Sequence, residues 1–425
     1  MRRHKYEDER LLVIHETNGQ QFNLNLFEGW VLASEVHKIK DNQGRALKIL
    51  DPYLMHTAPS ASGITLIDET NDDLYYRGLP IEQLAANFKY IEVVHLLLFG
   101  HLPTIIEREL WRERIARHAP LPEALCAIID AIPQGAEPMG ALVSALGALA
   151  SIEPIEAEML IDPSIRIDRL ARLIGLMPQL VGRILTNCIG GERSDVPSNI
   201  SYTRLVWASC LPSSRPSAAD LRLMETILIV HADHAMSCAT HVLRAVSSAE
   251  VDPILCAAAA ASALSGRRNG SASKEVLKML RAIDEKRNLA EFIDVRRKNG
   301  NVLAGFGHTV YEHADPRANI LRNAVLEFTK GRKNTLLDTA IELEHAVSSA
   351  EAIHPSKRFP SIEYYAAIAL DSLGVPPEIF PLLFTIARTA GWAAHLEEMA
   401  RTPTEQIMRP RQFYRHDYPI GKFVE

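Results

Sequence analysis

The chain has 425 residues, of which 47% are hydrophobic and 23% charged, with a formal net charge of −6. This composition is typical of a globular protein, and without a basic excess it argues against a nucleic acid or an anionic membrane as partner. The five cysteines are scattered without CxxC spacing, which excludes a zinc ribbon and fits a reducing compartment. The first ten residues contain no apolar signal segment, so we expect a cytoplasmic location.

Short strands are predicted near the N-terminus. Apolar residues alternate weakly with polar ones over 11–14, 22–26 and 46–50, and Asp41–Gly44 has the composition of a turn. From Pro80 onward the apolar spacing becomes helical, and signals for interior strands nearly vanish after residue 60. The sequence therefore predicts a mainly α fold with a small N-terminal β element.

The helical part contains two long uncharged runs, Pro138–Ile152 and Pro253–Gly266. Both are shorter than the roughly 20 residues of a bilayer span, so we expect buried helices and no membrane segment. Most of Leu205–Leu280 is also predicted to be helical, and Ser271 or Ser273 can cap its last helix. One face of that helix carries Val276, Leu277, Leu280 and Ile283.

The first motif with chemical potential is the pair His231 and His234, which follows the apolar run 227–230. On a helix the two side chains would share a face. A metal site is one interpretation, although no third ligand stands at a supporting spacing. A histidine hydrogen-bonded within the core is the other.

Three further motifs contain glycine, histidine and arginine. In the segment 305–308, two glycines precede His308 and allow the backbone to approach a ligand, and Arg317 offers a bidentate clamp for a carboxylate. Neither a Walker lysine nor GxGxxG spacing is present, which disfavours a nucleotide phosphate loop. Arg388 lies among apolar residues and predicts either a salt bridge or an anion site, whereas Arg409 by itself fits a solvated basic tail.

Taken together and in order, these motifs resemble the citrate synthase family of the bacterial type, over residues 51–414. The segments that carry the resemblance are Ile64–Asp68, Tyr76–Ala85, His231–His234, Gly305–His308, Asp315–Ala318, Ala387–Trp392 and Arg409–Gln412. The resemblance implies an almost entirely helical fold with a large and a small domain that close over the active site. It also implies a homodimer or a dimer-based hexamer that shares its active sites between subunits.

The resemblance further implies a domain division and a chemistry. We expect a β-containing segment at 1–55, a large helical domain at 56–274 and 382–425, and a small helical domain at 275–381. Members of the family condense acetyl-CoA with a 2-oxo acid and release CoA. Acetyl-CoA is then a co-substrate, and we expect no permanently bound cofactor and no metal.

Residue roles follow from the same resemblance. His234 matches the histidine that binds the oxo acid, and His308 matches the one that polarises its ketone. Arg317 and Arg388 match arginines that hold the carboxylates, and Arg409 matches the arginine contributed by the neighbouring subunit. The backbone that lines the CoA site corresponds to Leu303, Gly305 and Gly307.

Two positions depart from the family pattern. Asn269 stands where the family has the histidine that stabilises the enol, and Glu363 stands where it has the aspartate base. An amide still donates hydrogen bonds, and a glutamate keeps the carboxylate on a longer arm. We therefore regard Asn269, His308 and Glu363 as the catalytic residues, with the longer and the shorter side chain adapted to each other.

Arg267 and Arg268 precede the asparagine and are expected to bind CoA phosphates or an extra anionic group of the oxo acid, or else to face solvent. Binding of an extra anionic group would favour an electrophile other than oxaloacetate. An example is phosphonopyruvate, which would give a phosphonomethylmalate and place the enzyme in phosphonate biosynthesis. The alternatives are a housekeeping citrate or 2-methylcitrate synthase, cleavage of a citryl-type thioester, and a degenerate paralogue that binds CoA or 2-oxo acids.

Overall fold

The computed structural model describes residues 9–413, apart from residue 28 and the segments 191–199, 267–269, 287–288, 290–291, 293–302, 351–352 and 403–405. The chain divides into two compact units. One comprises the described residues of Met1–Ala61 and Arg409–Glu425, and the other is Ser62–Met408. The division into a large and a small helical domain within the second unit stays a prediction.

The terminal unit contains the predicted N-terminal β element. Strands β1 (Arg10–Ile14), β2 (Gln21–Phe27) and β3 (Trp30–Val31) form an antiparallel sheet in that order, followed by the short helix α1 (Ala33–Val36). The turn at Asp41 is confirmed, because its carboxylate accepts hydrogen bonds from the N–H groups of Gln43 and Arg45.

The predicted strand at 46–50 is wrong, because only Ala46 forms a bridge, to Lys40. Residues 47–50 are exposed, so little burial would stabilise a longer pairing.

The larger unit begins with a sheet that the sequence did not predict. Strands β4 (Thr65–Asp68), β5 (Asp73–Tyr76) and β6 (Leu79–Pro80) form an antiparallel meander. Each strand has four residues or fewer. That length is too short for a period of two residues to stand out in the sequence.

The remaining described elements of this unit are helical, which confirms the mainly α class. The α-helices are α2 (Ile81–Asn87), α3 (Tyr90–Phe99), α4 (Ile105–Arg117), α5 (Glu123–Asp130), α6 (Pro138–Ile152), α7 (Pro163–Cys188), α8 (Tyr202–Cys210), α9 (Ala218–His231), α10 (Cys238–Ser247), α11 (Pro253–Leu264), α12 (Ala272–Lys286), α13 (Pro316–Phe328), α14 (Thr335–Ser348), α15 (Ile362–Ser372) and α16 (Phe380–Arg401). Short 3₁₀ turns occur at Ala157–Ile161, Pro355–Lys357 and Pro377–Ile379.

Several helix predictions are confirmed by these bounds. The two uncharged runs form α6 and α11, and the apolar face of α12 is buried at all four predicted positions. Because α12 begins at Ala272, Ser273 lies within its first turn and is not its N-cap. Among the described residues, none of the helices combines the length and the apolarity that a bilayer crossing demands.

Helix α16 forms the centre of the core. Every residue from Phe380 to Glu397 is buried, and α3, α7 and α9 pack against it. A helix that is buried on all sides needs small residues where neighbours approach closely. Gly391 is such a residue, because its N–H donates to the carbonyl oxygen of Ala232, at 3.0 Å.

Substitution of Gly391 by alanine is expected to destabilise the fold by about 3 kcal/mol, since overpacking against backbone has no cheap relief. The added Cβ would overlap Asp233 Oδ1 and lie 2.6 Å from the oxygen of Ala232. The matched control is Gly147→Ala within α6, where a Cβ meets nothing within 4 Å. That change should stabilise the protein by about 0.5–1 kcal/mol. Urea unfolding of both variants measures the difference, and equal stabilities would contradict it.

Candidate active site

The two histidines of the first motif have different environments. Helix α9 ends at His231, so the prediction that His231 and His234 share a helical face is wrong. His231 Nδ1 donates to the carbonyl of Ile227 at 2.8 Å, and its ring stacks on Phe384. Burial lowers the pKa of His231 to about 3, so this side chain is a neutral core residue.

A tight turn after α9 carries His234. The buried carboxylate of Asp233 accepts hydrogen bonds from Thr65 Oγ1 at 2.6 Å and from the N–H of Ala235 at 3.0 Å. Ala235 has a φ of +45°, a left-handed conformation that costs energy for a residue with a Cβ. The Asp233 carboxylate therefore stabilises the strained turn that presents His234.

His234 faces two aromatic side chains of the loop that follows the glycine motif. Its Nε2 is 3.1 Å from the hydroxyl of Tyr311, and its ring centroid lies 5.3 Å from that of His308. Burial, followed by the charge of Arg317, lowers the pKa of His234 well below its usual value. Burial and Arg317 also lower the pKa of His308. Both histidines are consequently neutral at pH 7.

Arg317 is held by a fully buried ion pair. Its Nε and Nη2 donate to the two carboxylate oxygens of Asp315, at 2.9 and 2.8 Å. Asp315 also caps α13 and accepts from the N–H of Ile362 at 2.9 Å. Burial alone would raise the pKa of Asp315, but the Arg317 charge and the hydrogen bonds from Arg317 and Ile362 together outweigh it, and the net shift is downward.

His308 and Arg317 converge on one point. The N–H of Val310 donates to His308 Nδ1 at 3.1 Å, which assigns the proton of the neutral ring to Nε2. Arg317 Nη2 lies 3.5 Å from that Nε2. A guanidinium only donates, so these two groups cannot bond well to each other. They form a pair of adjacent donors with room to share one acceptor.

Arg388 lies at the centre of α16 and is buried. Its Nε donates to the carbonyl of His231 at 2.8 Å, and its Nη1 lies 3.3 Å from Ser237 Oγ. Burial lowers the pKa of Arg388, and Asp233 partly offsets this. These contacts use two of its three nitrogens and orient the guanidinium beside the turn of His234.

Glu363 lies in the first turn of α15 and is half-buried. Ser361 Oγ donates to Glu363 Oε2 at 2.6 Å, which restrains the carboxylate. The carboxylate also favours the protonated forms of His308, Arg317 and Arg388, so it acts electrostatically on all three.

The glycines of the segment 305–308 form backbone hydrogen bonds with the residues that precede α15. The carbonyl of Gly305 accepts from the N–H of Ser361, and the N–H of Gly307 donates to the carbonyl of Phe359. Gly307 has a φ of +77°, and a Cβ on it would lie 2.8 Å from the oxygen of Ser356. The glycine is needed for close packing within the protein, and this contact brings His308 beside the start of α15.

The loop after His308 is hydrogen-bonded to the sheet β4–β6, which the sequence did not predict. Asp72, in the turn between β4 and β5, accepts hydrogen bonds from the N–H groups of Glu312, His313 and Ala314, at 2.9–3.1 Å. Sequence reasoning missed Asp72, Asp233 and Ser361, because their partners are distant in the chain or require the local geometry.

The other predicted site residues are Arg267, Arg268, Asn269, Arg409 and Leu303. Arg267, Arg268 and Asn269 lie outside the described residues. Arg409 is exposed and belongs to the terminal unit. Leu303 is half-buried. The roles expected for these residues stay predictions.

The fold and the described site define a class of protein: a mainly helical protein with buried arginines and neutral histidines around a common point, suited to a small polyanionic ligand. A family model for the C-terminal domain of citrate synthase matches residues 53–411. The glyoxysomal citrate synthase of Cucurbita maxima is 34% identical over 417 residues, which cover 95% of this chain and 81% of the relative. The peroxisomal citrate synthase of Dictyostelium discoideum is 32% identical over 422 residues, with 96% and 86% covered.

Solved structures agree with these relatives. Citrate synthase from Pyrobaculum aerophilum superposes with a TM-score of 0.75 at 27% identity, covering 86% of this chain and 92% of that one. Citrate synthase from the archaeon Thermoplasma acidophilum, solved with carboxymethyl coenzyme A and oxaloacetate, shares the fold with a TM-score of 0.78 at 24% identity, covering 86% and 96%. The chain belongs to the citrate synthase family, and it is a citrate synthase-like condensing enzyme that uses acetyl-CoA as its co-substrate.

Replacement of Asp315 by asparagine should destabilise the fold by about 3–5 kcal/mol at pH 7, because it leaves the Arg317 charge buried without its partner. The folded-state pKa of Asp315 lies below 3.8, so its contribution is complete above that pH and is lost as the pH falls further. Unfolding free energies of the two proteins should therefore converge below about pH 4. The exposed Asp338→Asn serves as control, with a change within about 0.5 kcal/mol. A difference independent of pH would contradict this account.

Proposed function

We propose that the enzyme joins acetyl-CoA, or another short acyl-CoA, to the ketone carbon of a 2-oxo acid and releases CoA. We further propose that its preferred electrophile is more anionic than oxaloacetate. The reaction class follows from the family.

The observation that carries the proposal is the pair of donors at His308 Nε2 and Arg317 Nη2, 3.5 Å apart. A ketone oxygen placed between them would accept a hydrogen bond from each. The oxygen becomes an alkoxide as the new carbon–carbon bond forms, and preorganised donors stabilise such a charge most where water is excluded. His308 is suited to this role, because its lowered pKa keeps the ring neutral and its Nε2 proton directed outward.

The carboxylates of the oxo acid would bind to the remaining cationic groups. Arg388 holds a permanent charge beside the turn of His234, and arginine matches a carboxylate in planar geometry. His234 Nε2 and the Tyr311 hydroxyl lie 3.1 Å apart and offer a further polar edge. Arg409 of a neighbouring subunit is proposed to complete this set in a homodimer or a dimer-based hexamer.

Glu363 is proposed as the base. Its carboxylate would take a proton from the acetyl methyl group, and the electron pair would move into the enolate of the thioester. The enolate carbon would then attack the ketone carbon, whose oxygen takes the Nε2 proton of His308, and the proton held by Glu363 would return to that nitrogen through water. Water would finally cleave the carbon–sulfur bond to give the free acid and the CoA thiol. Ser361 supports the first step, because its hydroxyl holds one oxygen of the longer glutamate arm.

Asn269 is proposed to donate to the enolate oxygen in place of a histidine. An amide cannot titrate, but it keeps two N–H donors. Losing such a donor entirely costs about 2.7–4 kcal/mol, so a weaker donor should cost less. Gly270, which follows Asn269 in the chain, is held by a backbone hydrogen bond: its N–H donates to the carbonyl of Leu264 at 2.9 Å.

Arg267 and Arg268 motivate the choice of acid. Two cations beside the proposed enolate donor favour an electrophile with a larger charge than oxaloacetate. Phosphonopyruvate meets this demand and would yield a phosphonomethylmalate in phosphonate biosynthesis. Oxaloacetate is the acid in the Thermoplasma acidophilum complex. A cytoplasmic location stays part of the proposal, while the two relatives named above are glyoxysomal and peroxisomal.

Glu363→Gln should lower kcat by about 10²–10⁴-fold, since it removes the general base and keeps the shape of the side chain. The KM for the oxo acid should change little, because Glu363 is not assigned to its carboxylates. Thiol release from acetyl-CoA measures both constants. The matched control is Glu342→Gln on the exposed face of α14, which should retain wild-type kinetics. Equal kcat values for the two variants would remove Glu363 as the base.

A panel of 2-oxo acids tests the proposed specificity. Thiol release should be faster with phosphonopyruvate than with oxaloacetate or pyruvate, and Arg267→Ala and Arg268→Ala should each raise the KM for phosphonopyruvate. The exposed Lys278→Ala on α12 is the control cation.

Three results would count against this specificity. A preference for oxaloacetate would indicate a housekeeping citrate synthase, and unchanged KM values would exclude the two arginines from substrate binding. Thermal stabilisation by the ligands without thiol release on any acid would indicate a binding protein.

A further inference from the structure

A second cluster of ligand-forming side chains lies at the corner between α3 and α4, outside the site described above. His95 is on α3, His101 is in the connecting loop and Glu107 is in the first turn of α4. One ligand atom from each of the three lies within 4.8 Å of the other two. Neither the proposed reaction nor the family motifs use these residues.

Each of the two residues on the helices is already oriented by a hydrogen bond. His95 Nδ1 donates to the carbonyl of His101 at 3.0 Å, which leaves the lone pair of the neutral ring on Nε2. The ring is also packed against Phe99 and Trp111. On Glu107, Oε2 accepts from the N–H of Thr104 at 2.8 Å, so Oε1 is directed elsewhere. Hydrogen bonds of this kind are typical of the partners behind metal ligands.

The spacing suits a small tetrahedral ion. Metal–ligand distances of about 2.0–2.2 Å imply neighbouring ligand atoms about 3.3 Å apart. His101 Nε2 and Glu107 Oε1 are 3.2 Å apart and share a hydrogen bond, whose proton a bound ion would replace. The rings of His95 and His101 are nearly perpendicular, with centroids 5.1 Å apart. The His101 side chain is 57% exposed, so it can move the short distance needed to bring all three atoms onto one ion.

The donor chemistry fits as well. Two imidazoles and one carboxylate are a donor set that zinc accepts, with a fourth position left for water.

We propose that His95, His101 and Glu107 form a binding site for Zn²⁺ that joins the end of α3 to the start of α4. The Tyr90 hydroxyl on α3 donates a hydrogen bond to the carbonyl of Ala387, which is next to Arg388. The metal would therefore stabilise a helix that contacts the core of the candidate active site. The proposal does not depend on the substrate or on turnover.

The experiment is titration of the full-length, metal-free protein with Zn²⁺ by calorimetry, together with Co²⁺ as a spectroscopic probe. One Zn²⁺ should bind per chain. His101→Ala and Glu107→Gln should each weaken binding by about tenfold or more. The Co²⁺ complex of the wild-type protein should show the visible absorption of tetrahedral coordination, and this band should be lost in His101→Ala.

The matched control is His118→Ala. His118 also faces a carboxylate, Asp168 at 3.4 Å, but within the described part of the chain it belongs to no group of three ligand-forming side chains, so its loss should leave Zn²⁺ affinity unchanged. Binding that survives both His101→Ala and Glu107→Gln would place the metal elsewhere and overturn the proposal. Absence of saturable binding in the wild-type protein would overturn it as well.

Discussion

The buried carboxylate of Asp315 is the contact on which the geometry of the candidate site depends. It accepts four hydrogen bonds, three from Arg317 and one from the N–H of Ile362, which matches the capacity of a carboxylate. The starts of α13 and α15 are thereby fixed to one point. Arg317 and Glu363, far apart in the chain, take their relative positions from it. A buried charge is tolerated only under such complete pairing, so this arrangement leaves little room for alternative packings.

The electrostatics of the site depend on what burial does to each type of side chain. Histidine loses its charge, because burial lowers the pKa of both His234 and His308. Arginine keeps its charge at physiological pH, so Arg317 and Arg388 remain fixed positive centres. The candidate site therefore combines neutral hydrogen-bond donors with permanently charged side chains. A net charge of −6 for the whole chain conceals this local excess.

Much of this could be predicted from the sequence, because long amphipathic or uncharged helices and ordered motifs are strong signals. The helices α6, α11 and α12 follow directly from their apolar patterns. The sheet β4–β6 could not be predicted, since its strands are too short to show a period and depend on tertiary contacts for their formation. His231 and His234 were expected on one helical face because spacing alone does not reveal where a helix ends. Asp72 was missed for a different reason: its partners are mainly backbone N–H groups, which every residue type except proline supplies.

Helix α16 shows how the core itself sets the position of Arg388, a side chain proposed to bind the substrate. The N–H of Gly391 donates to the carbonyl of Ala232, and the carbonyl of Ala387, one turn earlier, accepts the Tyr90 hydroxyl. Two neighbouring elements are therefore hydrogen-bonded to the helix on either side of Arg388. The backbone that carries Arg388 is thus hydrogen-bonded to α3 and to the end of α9, and these contacts fix the position of its side chain. With this arrangement, any shift of α3 or α9 displaces the Arg388 guanidinium.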